Sequence, residues 1–273
     1  MSQIKDRNIL ITGGASGIGL LMAQRVSELG AKHVVIWDIN NAALERVKKD
    51  LVYIGNTTIH TYKVDVSNSK NVEEVAQDVL SDIGTIDILF NNAGIIVGKS
   101  FEEHSYYDIE KTMGVNTLGC MFVARAFLPG MIDQRRGHVV NIASAAGLMA
   151  NPGMTVYASS KWGVVGWSES LRIELQQNKS GVHVTTVMPS YIDTGMFEGV
   201  TPPLLVPWLK PDAIVKSIIK AVLNNKIQLK RPFMVNLTPI LRGILPTRVF
   251  DFVAGKMFRV YDSMSTFKGR VNE

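Results

Sequence analysis

Short apolar runs alternate with stretches of helical spacing over most of the chain. Asn8 to Thr12 is apolar and runs into glycines, and Leu20 to Leu29 then follows a helical pattern that stops at Gly30. His33 to Trp37 reads as a second strand, 41–51 as a helix, Thr58 to Val64 as a third strand and Val72 to Ser81 as a third helix. Ile86 to Phe90, Val139 to Ile142 and Val182 to Val187 are further strands. Residues 105–131, predicted to stop near Pro129-Gly130, and 154–178 are further helices. Strands that are apolar throughout and alternate with helices predict a parallel sheet covered on both faces. The fold class is therefore α/β, a doubly wound sheet.

After Pro189 the rhythm changes. Residues 190–212 carry Pro202, Pro203, Pro207 and Pro211 among several Leu and Val, and read as a lid, because long apolar loops in compact domains usually serve a site. Helix 211–224 and strand 232–237 then resume the pattern and bring the sheet to about seven strands. Residues 1–238 form one domain, and 239–273 read as a helical, hydrophobic and basic extension of it.

Composition narrows the class. A chain of 273 residues with 46% hydrophobic content can bury a sizeable core without a metal or disulfide staple. The single cysteine, Cys120, excludes an intrachain disulfide, sits in an apolar stretch and fits a reducing, cytoplasmic location. The first strand starts too early to leave room for a signal peptide, and no 18 consecutive apolar residues predict a spanning helix. His104, His138 and His183 lack ligand spacing, so no metal is expected. The charge is uneven: residues 226–273 hold nine Lys/Arg against three acids, whereas the rest carries 20 basic and 21 acidic groups. Any anionic partner belongs at the C-terminus. Arg135 and Arg136 read as a solvated helix end, and no basic stripe interleaved with aromatics points to nucleic acid.

Two constellations carry chemistry. Thr12-Gly13-Gly14-Ala15-Ser16-Gly17-Ile18-Gly19 lies between the first strand and helix, where glycines let a pyrophosphate approach backbone and helix N-terminus. Asp38, nineteen residues past Gly19, can accept hydrogen bonds from an adenosine ribose and would repel a 2′-phosphate. With no Arg or Lys at 15, 16, 39 or 40, NAD is favoured over NADP. Further on, Tyr157 and Lys161 stand one helical turn apart, with Ser144 upstream. A phenol is a poor base near neutrality, and a cation on the same helix face favours the phenolate. Ser144 can hold a substrate oxygen while Tyr157 exchanges its proton.

With these motifs in order, the chain resembles the short-chain dehydrogenase/reductase family, with its Rossmann-type fold, over nearly all its length. The resemblance places Asp65 and Val66 beside an adenine, makes Asn91-Asn92-Ala93-Gly94 a cofactor-lining turn, and gives Asn116 a proton-relay water. It makes Ser144, Tyr157 and Lys161 the catalytic set, Lys161 also holding the nicotinamide ribose. Pro189 to Thr194 would grip the nicotinamide amide through the Ile192 backbone and the Thr194 hydroxyl. Ser190 departs from the glycine usual after this proline. The resemblance also implies a homodimer or homotetramer paired through 105–131 and 154–178.

Met196, Phe197, Leu204, Leu205, Val206 and Trp208 suit a lipophilic alcohol such as a retinoid, steroid or long-chain alcohol, or else simply pack the lid. Residues 247–262 read as an amphipathic helix, with Phe252 on its charged side. With Pro239 to Pro246 it resembles a segment that lies on a membrane or lipid surface through residues 240–262; a helix closing the pocket or a subunit interface is the other reading. The tail through Phe267-Lys268-Gly269-Arg270 is similar to the branch of retinol and 17-beta-hydroxysteroid dehydrogenases, whose N-terminal anchor has no counterpart here. The leading function is an NAD-dependent dehydrogenase of a lipophilic alcohol. An NADPH-dependent carbonyl or 3-oxoacyl reductase and a non-catalytic NAD-binding sensor or scaffold are the alternatives.

Overall fold

Strands apolar enough to bury both faces pair entirely in parallel, as chains of this kind do when helices cover both sides. In the computed structural model, which describes residues 2–51 and 56–269, these are β1 (Asn8–Thr12), β2 (His33–Asp38), β3 (Thr58–Lys63), β4 (Ile88–Asn91), β5 (Gly137–Ile142), β6 (Val182–Pro189) and β7 (Gln228–Arg231). Arg270 of the basic tail lies outside the described residues. The sheet order is β3-β2-β1-β4-β5-β6-β7.

Side-chain alternation divides the core in two. Ile9 and Ile11 point to one face, against Met22 and Val26 of α1 (Gly17–Glu28), Leu44 and Val47 of α2 (Asn41–Leu51), and Ile218 and Val222 of α7 (Pro211–Leu223). Leu10, Val35 and Trp37 point to the other, against α3 (Ser69–Ile83), α5 (Gly119–Asp133) and α6 (Thr155–Gln177). A shorter helix, α4 (Tyr106–Met113), leads through a π-turn at Gly114–Leu118 into α5. Tyr106–Asp133 is long and apolar enough to cross a membrane by length and composition, a property the search for uninterrupted apolar runs missed. Its Val123, Phe127 and Met131 are buried in this core.

The chain builds β1, β2 and β3 in one direction, then crosses back to lay β4 on the other side of β1. Ligand clefts in such sheets open at the carboxyl ends of the two strands where the order reverses. Here the loops after β1 and β4 are tied together. Asn92 N–H and Ala93 N–H both donate to Thr12 Oγ1 at 3.0 Å, and the Asn92 side-chain amide donates to the carbonyls of Thr12 (3.0 Å) and Gly13 (3.1 Å).

Several boundaries differ from expectation. The last strand is Gln228–Arg231 rather than 232–237, because Arg231-Pro232 ends the ladder beside Pro189 and a 3-10 turn, Phe233–Asn236, follows. Helix α3 begins at Ser69 because the Asn68 side chain caps the amides of Lys70 and Asn71. Helix α5 passes through Pro129 and Gly130 to Asp133. Arg135 and Arg136 are exposed just past the end of α5, as expected, and the Arg136 guanidinium also donates twice to the buried Asp87 carboxylate, at 2.8 and 3.0 Å.

The extension comprises α8 (Leu237–Ile244) and α9 (Thr247–Phe252), parted by Pro246, then a π-turn to Met257. The expected helix to 262 stops there because Arg259 takes a left-handed conformation (φ 54°) and reverses the chain. Tyr261 then returns over Gly255, where a Cβ would meet its ring, and its hydroxyl donates to Asp251 at 2.7 Å.

Thr12→Val keeps the shape of β1 but leaves two amides of the β4 loop without their acceptor. Each such loss costs about 1–3 kcal/mol. Urea unfolding is expected to show a loss of about 2–4 kcal/mol with an unchanged m-value.

Candidate active site

The cleft at the reversal point is a long groove. Its first wall is the turn entering α1, where Gly13 (φ 61°) and Gly17 (φ 54°) adopt backbone that side chains rarely take. A Cβ on Gly13 would stand 2.9 Å from Ala93 Cα, and one on Gly19 would stand 2.1 Å from the Gly13 carbonyl oxygen. Gly13 and Gly17 line the groove with Ser16 and Ile18, whereas Gly19 lies behind it as the close contact that lets the turn form. Ser16 is the N-cap of α1 but makes no side-chain capping bond. The helix thus presents its first-turn amides to the groove, the usual setting for a phosphate.

The second wall carries the acids. Asp38, at the end of β2, accepts from Ala15 N–H through Oδ2 (3.1 Å) and from Asn40 N–H through Oδ1 (3.0 Å). Each oxygen keeps a lone pair for a ribose hydroxyl. Asp65 is turned locally, its Oδ1 accepting from Ser67 N–H (2.9 Å) and Ser67 Oγ–H (2.6 Å); Val66 beside it is buried. Asn92, Ala93, Gly94, Pro189, Ile192 and Thr194 complete the lining. A cradle that leaves no room for side chains at Gly13 and Gly19, free helix amides and a carboxylate at the ribose end fits a dinucleotide. Trp37, Ile39, Ile95 and Lys111 also line it and carried no sequence signal.

At its inner end the groove meets a second, mostly apolar pocket, and Ser144, Tyr157, Ser190 and Phe197 line both. Ser144 follows β5 and Tyr157 and Lys161 lie near the start of α6, so the predicted trio comes together. All three are buried. Lys161 Nζ donates to the Ile142 carbonyl at 2.9 Å and lies 5.8 Å from the centre of the Tyr157 ring. Burial pushes the Tyr157 phenol up to about 12, against a lowering hydrogen bond from Ser144, and burial lowers Lys161. This differs from the expectation that Lys161 brings Tyr157 down: with the ammonium turned to Ile142, desolvation of the phenolate wins.

Asn116, on the π-turn, does not line the groove but stands behind Gly94. A Cβ on Gly94 would lie 3.3 Å from Asn116 Oδ1 and 3.5 Å from Lys161 Nζ. Asn116 Oδ1 accepts from Ile95 N–H (2.8 Å), and its amide donates to the Ile95 carbonyl (2.9 Å) and Ser160 Oγ (3.0 Å). The side chain is thus committed to holding the 93–96 loop. Ser160 in turn donates to the Tyr157 carbonyl at 2.6 Å. Asn91, Asn141 and Ser168 form a second buried chain from β4 through β5 to α6 (2.9 and 2.8 Å). Of these supports only Asn91, within Asn91-Asn92-Ala93-Gly94, and Asn116 were legible beforehand.

The apolar pocket uses Phe197, Leu204 and Val206 of the predicted lid; Leu205 and Trp208 lie outside it, and Met196 faces the groove. Its roof is the C-terminal extension, through Leu237, Leu241, Phe250, Val253 and Phe258. The tail then straps the lid: Tyr191 Oη donates to Ser263 Oγ (2.9 Å), and Thr266 Oγ1 donates to the Gly199 carbonyl (2.6 Å). Ser190 is not left-handed, so it sits without strain where a glycine was expected, with its hydroxyl buried and unpartnered among the described residues. Cys120 is buried, its thiol pushed up to about 11 by burial and its Sγ directed at the Asn116 carbonyl. The sheet brings His138 and His183 side by side, yet no cluster of three metal-ligating side chains occurs among the described residues. His138 is kept neutral, its pKa lowered to about 3 by burial.

A Rossmann-type cleft whose inner end carries a buried serine, tyrosine and lysine defines a hydride-transferring enzyme of alcohols and carbonyls. The chain belongs to the short-chain dehydrogenase family, whose model matches residues 7–204. It is 38% identical to epidermal retinol dehydrogenase 2 of Homo sapiens over 249 residues, covering 90% of this chain and 80% of the relative. It is 33% identical to estradiol 17-beta-dehydrogenase 11 of Homo sapiens over 261 residues, covering 95% and 86%. Among solved structures, a short-chain dehydrogenase/reductase from Burkholderia phymatum in complex with NAD superposes with a TM-score of 0.80 (27% identity, 89% of this chain, 95% of that one). A metagenomic short-chain oxidoreductase in complex with NADP gives 0.70 (27% identity, 84% and 96%). The protein is thus an alcohol dehydrogenase/reductase of the retinol and hydroxysteroid branch.

Asn116→Leu removes three hydrogen bonds and leaves the Ile95 amide and carbonyl unpartnered. Stability is expected to fall by about 2–4 kcal/mol. Amide exchange at Ile95 should quicken more than exchange in β1, which would locate the damage in the cofactor loop.

Proposed function

We propose that the protein interconverts a lipophilic alcohol and its carbonyl with NAD as hydride acceptor, and with Tyr157 as the group that exchanges the hydroxyl proton. The observation that carries this reading is the junction itself, where Ser144 and Tyr157 line both the dinucleotide groove and an apolar pocket. Ser144 holds the substrate oxygen. Tyr157 takes its proton in oxidation and returns it in reduction, and Lys161 favours the phenolate once its ammonium turns from the Ile142 carbonyl toward the phenol. The bound dinucleotide supplies the hydride chemistry. Gly13, Ser16, Gly17 and Ile18 hold its phosphates and Asp38 its adenosine ribose. Asp65, Val66, Asn92, Ala93 and Gly94 lie along it, and Lys161, Pro189, Ile192 and Thr194 receive its nicotinamide end.

The pocket supports a lipophilic substrate, because its wall is apolar apart from the hydroxyls at the junction, Tyr191, Asn151 and Thr238. Retinoids, steroids and long-chain alcohols are the classes to try first. Lys111 is a groove-lining cation and the feature that favours a phosphorylated dinucleotide as second reading. A homo-oligomer through 105–131 and 154–178 is supported by exposed Leu118 and Ile173 on those helices.

Tyr157→Phe is expected to lower kcat by about 10²–10⁴ while NAD binding, followed by fluorescence, is retained. Equal turnover by variant and wild type would end the proton-exchange role. Because burial raises the Tyr157 pKa, the phenol is protonated at neutral pH. Oxidation, which needs the phenolate, should therefore quicken about tenfold per pH unit below the operative pKa, while reduction stays flat over that range.

Asp38→Ser together with Ile39→Arg removes the carboxylate and supplies a cation. The ratio of kcat/KM for NAD over NADP should fall by on the order of a hundredfold. Wild-type preference for NADP would overturn the reading of Asp38.

A further inference from the structure

The C-terminal extension has an outer surface as well as the face that roofs the pocket. On α8, Leu237 and Leu241 line the pocket, while Ile240 and Ile244 on the adjoining side are exposed, Ile244 by 74%. On α9 and the turn after it, Phe250, Val253 and Ala254 line the pocket, and Val249, Phe252 and Met257 are exposed, Phe252 by 61%. The apolar arc of each helix therefore continues from the pocket wall into solvent. Exposed apolar clusters of this kind mark binding surfaces.

The same segment carries a basic excess. Between residues 237 and 262 there are four Lys/Arg (Arg242, Arg248, Lys256 and Arg259) and two acids, and none of the four forms an ion pair among the described residues. One of the two acids, Asp251, is engaged by the Tyr261 hydroxyl. A second copy of the chain docked here by two-fold symmetry would set this unneutralised charge against itself. A surface that is negative and apolar just beneath meets both requirements, as basic amphipathic helices do at bilayer interfaces.

We propose that the outer face of α8, α9 and the following turn docks on an anionic lipid surface. Ile244 and Phe252 insert among the acyl chains, while Arg248, Lys256 and Arg259 meet the headgroups. The roof of the pocket would then lie against the lipid, so that a lipophilic alcohol enters from the bilayer without crossing water. This delivery rests on the lipophilic reading of the substrate; the docking does not.

The test is co-sedimentation of the full chain with phosphatidylcholine vesicles, with and without phosphatidylserine. Binding is expected only with phosphatidylserine, and to fall steeply at high salt. Arg248→Glu with Lys256→Glu should weaken it by on the order of a hundredfold. Ile244→Ser with Phe252→Ser should weaken it tenfold or more at low salt. None of these four side chains lines the pocket, so thermal unfolding and turnover of a short, soluble alcohol should match wild type.

Failure of the wild type to bind either vesicle overturns the proposal, as does unchanged binding by both folded double variants. Dissociation of a wild-type dimer by the same substitutions, without vesicle binding, would make a second copy the occupant. Vesicle binding is read without turnover. Docking with oxidation of small polar alcohols alone would therefore sink the lipophilic reading and the delivery, and leave the surface standing.

Discussion

The fork between β1 and β4 is the constraint on which the site depends. Two adjacent parallel strands send their chains to opposite sides of the sheet, so a cleft opens between the loops that follow. One hydroxyl and one amide span it: Thr12 Oγ1 accepts two amides of the β4 loop, and Asn92 bonds back to two carbonyls of the β1 turn. The turn can come that close only because Gly13 and Gly19 lack side chains. One short set of contacts therefore sets the depth of the groove and the aim of the α1 N-terminus.

A second set carries this frame to the chemistry. Asn91, Asn141 and Ser168 link β4 and β5 to α6, and Asn116 links Ile95 to Ser160, whose hydroxyl bonds the Tyr157 carbonyl. These groups are buried, so each is costly if left unpaired and directional when satisfied. An apolar interior would hold α6 against the sheet equally well. It would not choose the rotation that brings Tyr157 and Lys161 to the end of the groove. The polar chains supply that choice, and desolvation at the same place raises the phenol they position.

The apolar pocket is assembled differently, from parts far apart in sequence. Ser144 and Tyr157 give its floor, residues 197–206 one side, and residues 237–260 the roof. Its walls come largely from the lid and the extension, so the sheet that serves the dinucleotide says little about the substrate. The tail that straps the lid, from Ser263 to Thr266, makes the enclosure part of one folded unit.

Much of this was legible beforehand, for physical reasons. Runs such as Val34 to Trp37 can be buried on both faces only in a covered parallel sheet, and helices 41–51 and 154–178 have enough apolar periodicity to stand within one residue of their observed ends. Glycine spacing and the Tyr157–Lys161 interval are local, and local geometry is what a linear pattern records. The last strand and the helix to 262 were misplaced because a proline at 232 and a left-handed Arg259 redirect the chain through contacts with Pro189, Gly255 and Asp251. Whether the extension roofs the pocket, where Lys111 comes to lie, and that Asn116 is spent on Ile95 depend on residues tens to hundreds of positions apart. By itself the sequence determined the class of fold, the glycine turn after β1 and the candidate trio of Ser144, Tyr157 and Lys161, all read from patterns in short stretches of chain. The tertiary structure alone decided how deeply that trio is buried, and which apolar face closes over it and which is left exposed, because burial is a property of what packs from afar.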